Sequence, residues 1–99
     1  MRRGTTPTHI FYTDIDLTDT EVIWLTYKVD GKIVIDKQKG DLEVETDRIS
    51  FKLTQEETLA IQSGEWVKVQ IRARYPDGSA IASQIMTIGV DDILKDGVI

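Results

Sequence analysis

In the ten residues WVKVQIRARY, Trp66 to Tyr75, apolar and polar side chains alternate from Val67 onward. Val67, Val69, Ile71, Ala73 and Tyr75 fall on one side, with Trp66, Lys68, Gln70, Arg72 and Arg74 on the other. A strand places successive side chains on opposite faces, so this order gives one greasy face and one wet face. A helix would scatter the same residues around its circumference. The segment therefore reads as a half-buried strand, and the rest of the chain can be tested for the same period.

The period recurs outward in both directions. Pro76-Asp77-Gly78 follows as a tight turn, because proline presets φ and glycine accepts φ > 0. SAIASQIMTIGV then returns with Ile81 and Ile85 on one parity and Met86, Ile88 and Val90 on the other, which predicts a bulge near Ile85. Upstream, RISFKL points Ile49, Phe51 and Leu53 inward, after a short LEVE strand. VIWLTYKV sets Ile23, Leu25, Tyr27 and Val29 against Trp24, Thr26 and Lys28. The Asp30-Gly31 pair suits a type I′ hairpin turn, and KIVIDK returns from it with Ile33 and Ile35 expected inward. In THIFYTDID, Phe11 and Ile15 oppose Ile10, Tyr12, Asp14 and Asp16. One stretch, LTQEETLAI, breaks the alternation. Thr54 with Glu57 three residues on is a capping box for one helical turn near residues 54–60. About seven short strands with turn signals every 8–12 residues or so predict an immunoglobulin-like antiparallel β-sandwich, with a small barrel as the rival. The expectation is one all-β domain over residues 1–99. Residues 1–7 form an extended lead-in with Arg2 and Arg3 exposed, and residues 91–99 a C-terminal tail.

Composition narrows function by exclusion. The chain has no cysteine, which removes thiolate chemistry and Cys-based zinc, and its single histidine, His9, has no imidazole partner. A net charge of -5 opposes a phosphate backbone, so no nucleic-acid partner is expected. No apolar run approaches the roughly 20 residues that cross a bilayer, and Gly4 to His9 is polar where the apolar core of an export signal would follow Arg2-Arg3. No membrane partner is expected. There is no Gly-x-Ser-x-Gly elbow and no glycine-rich phosphate loop. The pairs Asp14/Asp16 and Glu56/Glu57 read as a strand's outer side and a capped turn, and DIDLTDTE, even with Asp91 and Asp92 nearby, lacks the grammar of a calcium loop. The expectation is a non-enzyme with no cofactor and no metal.

Three surfaces stand out instead. If the first two strands are neighbours in one sheet, Ile10, Tyr12 and Trp24 share its outer face as an apolar patch suited to a partner. Tyr12 and Trp24 would alternatively make a stacking platform for a cell-surface glycan, the function of a carbohydrate-binding module. The tail carries Ile93, Leu94, Val98 and Ile99, too apolar for a free end, which either packs on its own domain or docks on a neighbour. The stripe Lys68, Gln70, Arg72, Arg74 has side chains about 7 Å apart along the strand, and Lys68, Arg72 and Arg74 would let the chain act as a small regulatory binder of an acidic host protein.

Four segments carry a resemblance. RGTTPT at Arg3–Thr8, the Asp30-Gly31-Lys32 hairpin, LTQEETL at Leu53–Leu59 and ILKDG at Ile93–Gly97 together resemble short prophage-encoded proteins of phages of Gram-positive bacteria, met among tail and baseplate genes. The middle and end are also similar to immunoglobulin-like N-terminal domains of phage baseplate proteins, which act as attachment modules. The chain departs from the group in Trp24 and in DIDLTDTE. The resemblance implies a non-enzymatic structural or adaptor module working through protein–protein contacts with other tail or baseplate proteins. It also implies a homo-oligomer, located in the virion and in the host cytoplasm during assembly.

Overall fold

The computed structural model describes residues Met1–Ile99 as eight strands, one short α-helical turn and one 3-10 turn at Lys39–Asp41. The strands are β1 (Thr8–Tyr12), β2 (Val22–Val29), β3 (Lys32–Gln38), β4 (Glu43–Val44), β5 (Arg48–Lys52), β6 (Trp66–Arg74), β7 (Ala80–Ala82) and β8 (Met86–Gly89), with α1 (Gln55–Leu59) between β5 and β6. They form two antiparallel sheets. One is ordered β1-β5-β4, the other β3-β2-β6-β7, with β8 also on β6. Counting β7 and β8 as one broken final strand, this is the Greek-key order of an immunoglobulin-like sandwich lacking its first strand. LEVE contributes only the two residues of β4.

The core lies between the sheets and follows the alternation. Phe11, Ile49 and Phe51 come from the smaller sheet. Ile23, Leu25, Tyr27, Val67, Val69 and Ile71 face them from the larger one. Each such side chain removed from water contributes about 1.5–3 kcal/mol. The helical turn is capped reciprocally: Glu57 N–H donates to Thr54 Oγ1 at 3.1 Å, and Thr54 N–H donates to Glu57 Oε1 at 2.9 Å.

Several local expectations are corrected. Ile33 faces solvent, because the β2–β3 register slips between Tyr27↔Ile35 and Lys28↔Ile33 and leaves Val34 as an extra residue. Beyond that bulge Ile33 shares the outward side of Lys28. The parity change near Ile85 takes the form of a break, Ser83–Ile85, between β7 and β8. Ser83 fills the gap: its N–H donates to Ile71 O at 2.8 Å and its Oγ accepts from Ile71 N–H at 3.0 Å. Ile81 thus sits opposite Ala73 while Met86 and Ile88 sit opposite Val69 and Val67, all on the core side, and Ile85 is left outside. The first strand stops at Tyr12, so Ile15 is half exposed in a loop.

The lead-in is not simply extended, nor is Arg3 exposed. Met1–Arg3 runs parallel to the end of the chain's last strand: Met1 N donates to Gly89 O at 2.7 Å, Asp91 N–H to Met1 O at 2.7 Å and Arg3 N–H to Asp91 O at 3.1 Å. Gly4, at φ 69°, then turns the chain towards β1, and a side chain there would meet Ile93 Cδ1 at 3.0 Å. Arg3 is 7% exposed, its Nε donating to Ile61 O and its Nη2 to Leu59 O, both at 2.7 Å.

These assignments rank two substitutions. Leu25→Ala, at a fully buried site, is expected to lower unfolding free energy by about 2–5 kcal/mol. Thr54→Ala loses a cap worth about 1 kcal/mol. Urea denaturation of both variants checks the order.

Candidate interaction surfaces

The anticipated Ile10–Tyr12–Trp24 patch does not form. β1 belongs to the smaller sheet and β2 to the larger, so Ile10 and Tyr12 face solvent on one side of the sandwich and Trp24 on the other. Tyr12 and Trp24 therefore cannot line one sugar platform. Each ring instead lies under an arginine of the adjacent strand: Arg48 Cζ is 5.1 Å from the Tyr12 centroid and Arg72 Cζ 5.5 Å from that of Trp24. These stacks hold the exposed aromatics in place at sites that remain open to water.

The basic stripe is present on the outer face of the larger sheet, where Lys68, Arg72 and Arg74 are all exposed. Register shows what each meets. Lys68 lies opposite Lys28, a like-charge pair whose repulsion is screened because both residues are exposed. Arg72 is committed to Trp24, and Arg74 Nη2 is 3.4 Å from Glu21 Oε2. Trp66, 68% exposed, extends the row and packs its ring beside Gly89.

The two chain ends meet at the α1 end of the sandwich. Asp92 and Asp96 each place a carboxylate oxygen within 4 Å of the Arg3 guanidinium, at 3.9 and 3.4 Å. The Gln55 side chain clasps Ile99, accepting its N–H at 2.9 Å and donating to its carbonyl at 3.0 Å. The expected packing of the tail on its own domain holds for half-buried Ile93 alone. Leu94, Val98 and Ile99 point into solvent. Asp16 lies at the far end of β6, where its carbonyl accepts from Tyr75 Oη at 2.8 Å, so Asp91 and Asp92 do not join DIDLTDTE in one acidic site.

Between the free edges of β1 and β7 the two sheets gape. The groove, about 450 Å³, is lined by Phe11, Leu17, Ile71, Ile81 and Met86, with Asp14 its one carboxylate. Thr13 Oγ1, at the groove wall, is the one buried side-chain polar atom without a hydrogen-bond partner. Nothing in the alternation announces this opening, since it arises from which strands are edges.

A second feature escaped the sequence reading. His9 Nδ1 and Tyr27 Oη share a hydrogen bond at 2.6 Å with rings stacked 5.8 Å apart, although both residues lie on inward parities that could have paired them. Burial, and then the positive Met1 amine, push the His9 imidazole below its ordinary value, while burial and the Glu57 charge push the Tyr27 phenol up. Burial acts to raise the Glu57 carboxyl, but the Thr54 cap and the Lys37 ammonium at 3.1 Å outweigh it and hold it low. Thr18 and Ser79 hydrogen bonds lower Asp16 and Asp77, and Arg48 lowers Asp47.

Compared with known protein families, curated proteins and solved structures, the chain matches none.

Below neutral pH the shifted groups act in one direction. A depressed His9 contributes stability that is present above its unfolded value of 6.5 and lost as pH falls below it. Depressed carboxylates contribute stability present above their unfolded values and lost on further acidification. The urea midpoint is therefore expected to fall from pH 7.5 to 5.5 and to fall again below about pH 4. In His9→Gln, which retains a partner for Tyr27, the first drop should flatten while the second remains.

Proposed function

We propose that this chain is a non-enzymatic structural or adaptor module of a phage tail or baseplate that acts by holding other proteins. One observation carries the reading: eleven large apolar side chains stay exposed, against fifteen buried hydrophobics in the core. Single exposed apolar residues need no explanation, but seven of the eleven gather at three places that are open to a partner. Tyr12 and Ile10 border a free sheet edge, Trp24 and Trp66 lie on one basic face, and Leu94, Val98 and Ile99 project from the tail. The resemblance of RGTTPT, LTQEETL and ILKDG to prophage tail and baseplate-associated proteins supplies the biological setting: the virion, with the host cytoplasm as the place of assembly. Its partners on this reading are other tail or baseplate proteins and further copies of itself.

Two measurements test the proposal. Mixing the purified chain with each tail or baseplate protein encoded beside it should give a complex with at least one, seen as a shift in scattering mass and in tryptophan emission. The chain alone should show a scattering mass above 11.2 kDa that grows with concentration. No complex with any neighbour, combined with a mass that never rises, would exclude this role.

A further inference from the structure

We propose that the free edge of β1 pairs antiparallel with the same edge of a second copy, joining two three-stranded sheets into one six-stranded sheet about a two-fold axis at Ile10. This deepens the attachment reading, on which it rests, by naming one partner and the surface that takes it.

The main chain supplies the first reason. Pro7 O accepts from Leu53 N–H and Thr13 N–H donates to Asp47 O, both at 2.9 Å. Odd-numbered residues of this segment thus turn their peptide groups towards β5. Because the direction alternates along a strand, Thr8, Ile10 and Tyr12 turn theirs away from β5, at an edge where no other strand lies. Exposed edges of this sort are templates for another strand.

Comparison of the four edges supplies the second. β3 carries Lys32, Asp36 and Lys37 and is bulged at Val34. β4 is two residues long. The β7–β8 edge is broken at Ser83–Ile85 and its end is covered by Met1–Arg3. Charge, shortness, bulging and covering are the usual devices that stop sheets from joining. β1, reading THIFY, has none of them: no lysine, no carboxylate, no proline and an unbroken five-residue register.

Self-complementarity selects the occupant. With Ile10 opposite Ile10, Tyr12 of each copy faces Thr8 of the other and Phe11 faces His9, so no like charges meet although each copy carries -5. Residues 8, 10 and 12 then exchange about six main-chain hydrogen bonds. Thr5–Pro7 of each copy runs on past Thr13–Ile15 of the other, along the mouth of the inter-sheet groove and beside the unpartnered Thr13 Oγ1. About eleven residues per copy take part, near half of a standard interface of roughly 20–30, which places the contact in the weak, concentration-dependent class.

The test uses the whole chain from about 10 µM to about 1 mM, where contacts of this class fill. Light scattering should show monomer passing to dimer, more readily as salt screens the shared negative charge. Ile10→Pro removes an outward N–H that bonds to nothing in the monomer, and Ile10→Lys sets two ammonium groups on the axis. Either, with an unchanged circular dichroism spectrum, should leave only monomer. Ile10→Cys, in a chain without cysteine, should oxidise to a covalent dimer at least tenfold faster than Ser79→Cys in an exposed turn. The paired Cα atoms would lie about 5.5 Å apart, within disulfide reach. Amide exchange at Ile10 and Tyr12 should slow as concentration rises. Dimerisation unaltered in Ile10→Lys, equal oxidation of the two cysteine variants, or Ile10 and Tyr12 amides already protected at high dilution would each overturn the proposal. The last result would mean that the chain's own tail covers the edge. A complex with a neighbouring tail protein, formed without any self-association, would remove the edge pairing and leave the attachment role standing. Absence of both would remove both.

Discussion

The pairing of β2 with β6 is the constraint from which the other features follow. Seven consecutive registered pairs, Val22↔Arg74 to Lys28↔Lys68, lock two long strands at the centre of the larger sheet. Of their inward side chains, Ile23, Leu25, Tyr27, Val67 and Val69 have no measurable exposure. Because side chains alternate, a slip of one residue would exchange that row for Trp24, Lys28, Lys68 and Arg72. The cost of burying those cations excludes every slip by an odd number of residues. Everything on the outer face, the tryptophans and the basic stripe alike, owes its position to that exclusion.

Thr13 Oγ1 apart, polar groups that enter the interior arrive with partners. Arg3 reaches two carbonyls at the α1–β6 corner, His9 meets Tyr27, and Lys37 meets Glu57 while its ammonium lies 5.3 Å from the Phe51 centroid. A buried guanidinium without acceptors would cost several kcal/mol. Here its two main-chain bonds also occupy carbonyls that the short helical turn leaves unused. Charge is segregated as well. A chain that is acidic in sum presents lysine and arginine along one broad face and gathers Asp91, Asp92 and Asp96 near its end. Orientation towards a charged partner would therefore depend on the distribution and not on the sum.

Alternation within a strand was legible from the residues, and with it the all-β class, the hairpin at Asp30-Gly31, the capped turn at Thr54 and most of the core. The parity change in SAIASQIMTIGV was legible too, because Ile81 and Met86 cannot both face inward along an unbroken strand. What alternation does not encode is the sheet to which a strand belongs. Whether Tyr12 and Trp24 share a face is decided by β1 choosing β5, a partner some forty positions along, and no local residue pattern reports that choice. Ile33 misled for a related reason: the extra residue at Val34 has no glycine or proline to mark it. Arg3 was hidden because a cation near a chain end is ordinarily solvated, and its acceptors, Leu59 and Ile61, become neighbours only after the fold closes.

That closure has a temporal side. Met1 joins Gly89 across 88 positions, and the parallel strip it begins can exist only once the last strand is in place. On a ribosome, residues 1–3 must wait, unpaired, until Gly89 and Asp91 have been translated and have left the exit tunnel. The β2–β3 hairpin can assemble early from near neighbours, whereas the seam between Met1–Arg3 and Gly89–Asp91 closes only after both of its distant segments are present. Anything appended ahead of Met1 would emerge beside that seam, so the attachment site of a fusion partner bears directly on whether it closes.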